Sequence, residues 1–222
     1  MADLSARRPL KSRDSKVFIQ LAARLTRIGV SPNAISFLSI VCGLGSGAAY
    51  LATSHSEGWV QRGCWLGAAL CIQARLLANL LDGMVAVEGG KGGPTGGLWN
   101  EAPDRLADVL IFIGAGYAAG GNVTLGWAAA LCAVLVAYIR ALGASLGAGQ
   151  IFLGPQAKQQ RMALLAGVSL LSAAIPVMPT SIGLRPAPWL FSALIFVILG
   201  CAITVFLRLR RIRVYLRTQV RP

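Results

Sequence analysis

The chain is 222 residues long, 55% hydrophobic and only 13% charged, with a net charge of +13 and a mean hydropathy of +0.65. Soluble domains carry about 25% charged residues, so the composition excludes an ordinary soluble domain and points to an all-α integral membrane protein. The basic excess reads as juxtamembrane charge that sets topology and meets anionic lipid, rather than as a nucleic-acid surface.

Residues 1–30 form an N-terminal segment. The stretch RRPLKSRDSK lacks the apolar core and cleavage site of a signal peptide. Over 15–29, SKVFIQLAARLTRIG, apolar residues at 17, 18, 21, 25 and 28 are interleaved with Lys16, Gln20, Arg24 and Arg27. That spacing predicts an amphipathic interfacial helix. Ser31-Pro32-Asn33 breaks it before the first span. Six apolar segments follow, at 33–53, 62–82, 105–121, 124–144, 161–179 and 187–207. Each approaches the roughly 20 residues of a spanning helix, so 31–207 reads as a six-helix transmembrane domain. Residues 208–222 form a basic tail.

Lys and Arg concentrate before residue 28 and from 208 onward. Only Arg62 and Arg185 fall on the opposite side of a six-helix chain, and Arg75 lies within a segment. The positive-inside rule then puts both termini and the 82–108 window in the cytoplasm, with a bacterial inner membrane expected. The scattered cysteines form no CxxC pair and read as packing residues. Gly43-x3-Gly47 predicts close helix packing in lipid.

Five of the eight acidic residues fall between 82 and 108: Asp82, Glu88, Glu101, Asp104 and Asp108. A carboxylate at membrane depth costs a few kcal/mol and marks function by default. Asn79, Asp82 and Ala86 share one helix face, and Asp104 and Asp108 share another. Pro103 suits the first turn of the second of these helices. If the two helices are antiparallel neighbours, three carboxylates and an amide converge. Like charges that close need compensation, which a hard divalent cation would supply; oxygen donors point to Mg²⁺, Mn²⁺ or Ca²⁺ rather than zinc. Gly83 leaves room for a ligand. The segment 89–97, GGKGGPTGG, reads as a flexible connection, without a phosphate-loop pattern.

These residues resemble the signature of the CDP-alcohol phosphatidyltransferase family, D-x2-D-G-x2-A-R followed by G-x3-D-x3-D. Here the first half reads Asn79-x2-Asp82-Gly83-x2-Ala86-Val87, and the second ends in Asp104-Arg-Leu-Ala-Asp108. SPNAIS, before the first span, is also similar to the family. Asn79 stands for the first aspartate, Val87 for the arginine and Asn100 for the glycine, and the spacer is longer. A second alignment sets Gly96, Asn100 and Asp104 on the last three positions and leaves Asp108 extra. Glu101 and Glu88 are the candidates to replace the missing charge.

The resemblance implies transfer of a phosphatidyl group from CDP-diacylglycerol, or a similar CDP-lipid, to a hydroxyl acceptor, with release of CMP. It implies Mg²⁺ or Mn²⁺ on Asn79, Asp82, Asp104 and Asp108, with Asp108 as the base. Gly83 and Ala86 would line the cytidine side. Arg140, Lys158 and Arg161 would hold a phosphate on the acceptor, which makes a phosphorylated polyol the matching acceptor class. A homodimer is also implied. Two other readings are a relative that has lost catalysis and binds lipid or CDP, and a cation-coupled transporter. No second acidic cluster in 124–207 supports the transporter.

Overall fold

Long apolar stretches between glycine, proline and polar breaks give a helical chain, and the computed structural model describes it at residues 15–88, 95–175 and 189–219. Seven helices are formed there: α1 Lys16–Arg27, α2 Pro32–Thr53, α3 Gly58–Glu88, α4 Gly96–Tyr117, α5 Val123–Ser145, α6 Lys158–Ala174 and α7 Trp189–Gln219. Residues 1–14, Lys91 with most of the glycine-rich connection, Arg185, the junction between the last two predicted spans, and 220–222 lie outside the described residues, as do the side chains of Glu88 and Asn100.

Local chemistry explains several of the boundaries. Ser31 caps α2 by accepting from the Ala34 N–H at 3.2 Å, and Pro32 occupies the first turn, where its missing N–H costs nothing. Asn122 caps α5 in the same way, through Leu125 N–H at 3.0 Å. The expectation for α4 needs correction. The helix starts at Gly96 and carries Pro103 inside it. Proline removes one backbone donor, yet the helix runs through it, so Pro103 does not mark the start.

Four helices, α2, α3, α5 and α7, are long and apolar enough to cross a membrane. Of the other two predicted spans, α4 carries Glu101, Asp104, Arg105 and Asp108 within its 22 residues, and α6 has only 17 residues. Large apolar side chains such as Phe37, Leu44, Leu131, Leu199 and Phe206 face outward, as expected where lipid rather than water is the solvent. The predicted amphipathic stripe of α1 is partly used by the protein. Phe18, Leu21 and Leu25 pack against the cluster of Ala78, Leu81, Met84 and Val85 on α3, while Val17 and Ile28 stay exposed.

α2 is the hub. It packs along both α3 and α4, whereas α3 and α4 touch each other sparsely. Small residues permit the approach. A Cβ on Gly43 would sit 2.7 Å from Ala107 Cα, and one on Gly47 would sit 2.8 Å from Leu110 O. Tyr50 on α2 stacks edge-on against Trp65, with ring centroids 5.8 Å apart. Its hydroxyl lies 2.7 Å from Ser169 Oγ on α6. α6 packs on α3, and α7 packs on α5 and α6. These contacts bring one end of α2, α3 and α4 against the start of α6.

Candidate active site

Three carboxylates lie at that end, and all are buried: Asp82 is 3% exposed, Asp104 6% and Asp108 1%. An isolated buried carboxylate is costly, so the first question is what compensates them. Three cations do. Arg75, fully buried on α3, places Nη2 3.2 Å from Asp104 Oδ1 and 2.5 Å from Asp108 Oδ1. The contact to Asp108 is an ion pair without hydrogen-bond alignment, since Oδ1 has no hydrogen-bond partner. Arg75 Nη2 also donates to the Asp104 backbone carbonyl at 3.1 Å. Arg161 on α6 donates to Asp108 Oδ2 at 3.0 Å and to Gln156 O at 2.7 Å. Lys158, the first residue of α6, donates to Asp104 Oδ2 at 2.5 Å and also to Asn79 Oδ1.

Asn79 thus uses both ends of its amide, because its Nδ2 donates to Asp104 Oδ1 at 2.9 Å. Asp82 stands one helical turn further along α3. Its Oδ2 accepts from Ser36 on α2 at 2.7 Å, and its Oδ1 is buried without a hydrogen-bond partner. Gly83 and Ala86 follow on α3, both half-buried, and Val87 is exposed. Glu101 makes its ion pairs apart from those of the trio. It pairs with Arg140 at 2.6 Å and with Arg105 one turn ahead. Arg140 is therefore tied to Glu101 at the partly exposed edge, while Lys158 and Arg161 reach the buried centre.

Arg75 is the residue that sequence reasoning missed. It was visible as an arginine inside an apolar segment. It also lies four residues before Asn79 and seven before Asp82, on their helix face. An intramembrane arginine next to intramembrane aspartates is a pairing signal.

The donors can be tested for the divalent ion that the resemblance implies. Both oxygens of Asp104 and both of Asp108 already face Arg75, Lys158, Arg161 or Asn79, and the Asn79 oxygen faces Lys158. Asp82 Oδ1 is the one oxygen of this set with neither a hydrogen bond nor an ion pair. Among the described residues, no group of three or more His, Cys, Asp or Glu side chains could hold a metal ion. As arranged, the residues do not fit a resident divalent cation. What they leave unused are donors, since Nε and Nη1 of Arg75 and Nε of Arg161 are buried without partners. Such orphaned groups are rare in folded proteins and call for a ligand or water.

Among known proteins, no family model matches this sequence, and no curated protein matches it. Solved structures do match. The Mycobacterium tuberculosis phosphatidylinositol phosphate synthase PgsA1 with CDP-DAG bound superposes with a TM-score of 0.68 over 89% of this chain and 94% of that one, at 19% identity. The chain shares its fold. The same synthase in complex with manganese and citrate matches at a TM-score of 0.68 and 18% identity, over 88% of each chain. Its apo form matches at 0.66 and 18%, over 87% of this chain and 94% of that one. The shared fold agrees with the resemblance in the signature window.

Proposed function

We propose that this chain transfers a phosphatidyl group from CDP-diacylglycerol, or a similar CDP-lipid, to a hydroxyl acceptor and releases CMP. One observation carries the reading: a buried ion cluster with unspent arginine donors, in a fold whose solved neighbour binds CDP-DAG. In the reaction the acceptor oxygen attacks the phosphorus next to diacylglycerol. A new phosphorus–oxygen bond forms, the pyrophosphate bond breaks, and its electron pair leaves with CMP. The acceptor proton passes to a carboxylate.

The chain's own residues supply the electrostatics. Arg75, Lys158 and Arg161 carry the positive charge that a leaving phosphate needs, held in place before the reaction begins. Asp108 is the proposed base. Arg161 covers its Oδ2 in the free protein, and a phosphate that draws Arg161 away uncovers that oxygen. Asp82 shares its face of α3 with Ala86, with Gly83 next to it, and the cytidine would lie there. Arg140, with Lys158 and Arg161, favours an acceptor that itself carries phosphate, so a phosphorylated polyol is the proposed acceptor class. We also place α4 and α6 across the membrane, which completes six spans, with the site at the cytoplasmic end. Lipid tails then reach the site sideways between helices.

The test is purified protein with CDP-diacylglycerol and a panel of alcohols and phosphorylated polyols. Acceptor-dependent CMP release is expected. Asp108→Asn should lower turnover by about 10²–10⁴, the usual size of a lost general base, while CDP-lipid binding persists. Unchanged turnover in Asp108→Asn would remove that residue from the chemistry. A second reading, a CDP-lipid binder without turnover, is favoured by the commitment of both oxygens of Asp104 and both of Asp108 to internal cations. Binding with no CMP release from any acceptor would establish it.

A further inference from the structure

We propose that Lys158 is the built-in cation of this site, held by Asn79 and Asp104, two of the residues that the resemblance assigns to a divalent ion. Its ammonium joins α6 to α3 and α4 at a single point, with Asp104 Oδ2 at 2.5 Å and Asn79 Oδ1 as its second partner. Both partners are oxygens, as ligands of a hard cation would be. Asp104 and Asp108 are already paired with Arg75, Arg161 and Lys158 without any ion, and Asp82 is held by Ser36.

Asn79 and Lys158 form a matched pair. An aspartate at 79 would be unable to donate to Asp104 Oδ1 and would add a like charge beside it. The amide donates there at 2.9 Å and turns its oxygen to the lysine. One negative charge is absent at 79 and one positive charge is present at 158. Helix packing alone does not account for the lysine. It opens α6, and the start of a helix is the end that disfavours a cation. Its side chain is only 22% exposed, so its charge is stabilised by the two partners it meets. A lysine is also a phosphate binder, so the same ammonium can move from Asp104 to an incoming pyrophosphate with no metal exchange.

The inference deepens the transfer reaction proposed above and rests on it only for its activity arm. Mn²⁺ titration of the full chain in detergent, followed by the electron paramagnetic resonance signal of the free ion, tests it without turnover. The wild-type protein should leave that signal unchanged. Asn79→Asp combined with Lys158→Met should gain Mn²⁺ binding by about tenfold or more, the scale on which changes around a metal alter affinity. Mn²⁺ binding by the wild type that Asp104→Asn abolishes would overturn the inference, and this comparison decides the matter if the double variant fails to fold. In the activity arm, CMP release should persist in excess chelator. Release that stops in chelator and returns with Mn²⁺ overturns the built-in cation and leaves the transfer reaction standing. Absence of CMP under every condition defeats the transfer reaction, and the Mn²⁺ titration still decides the role of Lys158.

Discussion

At the residue scale, Arg75 holds the cluster together. One Nη2 atom serves Asp104 and Asp108, and no part of the side chain is exposed. Removing one partner from a buried ion pair leaves uncompensated charge and costs about 3–5 kcal/mol. Arg75→Leu should therefore lower the unfolding temperature in detergent sharply. The double change Arg75→Leu with Asp108→Asn should recover part of the loss, because one stranded charge goes with it. Equal stability of Arg75→Leu and wild type would show that the aspartates are not compensated through this side chain. Asp82, Asp104 and Asp108 were legible in the sequence because carboxylates are rare and costly at membrane depth. Their cations were less legible. Lys158 lies 79 positions from Asn79 and 54 from Asp104, and no local spacing announces a contact made only by the packing of α6 on α3.

At the element scale, the site depends on how closely α2 approaches α4. The Gly43-x3-Gly47 pattern predicted such an approach without naming the partner. The partner is α4, where Ala107, Leu110 and Gly114 meet those glycines. Gly47→Leu should cost about 1–3 kcal/mol, as overpacking does in a tight interface, and thermal unfolding in detergent would measure it. Gly63→Ala is the control, since a Cβ there meets nothing within 4 Å; it should be neutral or slightly stabilising. Comparable losses at both positions would contradict the close-packed interface. The beginning of α4 was misjudged because proline is a common first-turn residue and glycine a common breaker. Here Gly96 and Gly97 are helical and Pro103 sits inside the helix. The charges of α4 were read correctly as unusual, but they also make it less apolar than a typical span.

At the scale of the whole molecule, the apolar exterior and the charge bias support the six-span topology proposed above. Single cysteines in a cysteine-free chain, labelled from either side of sealed vesicles, test it. Ser15→Cys and Gln219→Cys should react on one side, and Ser56→Cys and Val123→Cys on the other. Val123, at the start of α5, is the informative position, because it changes sides only if α4 crosses. Reaction of Val123→Cys with Ser15→Cys would limit the chain to fewer spans. The fold class and most helices were legible, since apolar length is a strong signal. The division of labour at the site was not, since it depends on which cations the packing brings to which carboxylates. The central claim is that this buried cluster carries phosphatidyl transfer. Its most direct measurement is the appearance of CMP and of a new phosphodiester lipid from CDP-diacylglycerol, followed by mass spectrometry across hydroxyl acceptors. The two products are expected in equal amounts, strongest with a phosphorylated polyol and lost in Asp108→Asn. Binding of CDP-diacylglycerol with neither product, whatever acceptor or divalent metal is added, would contradict it.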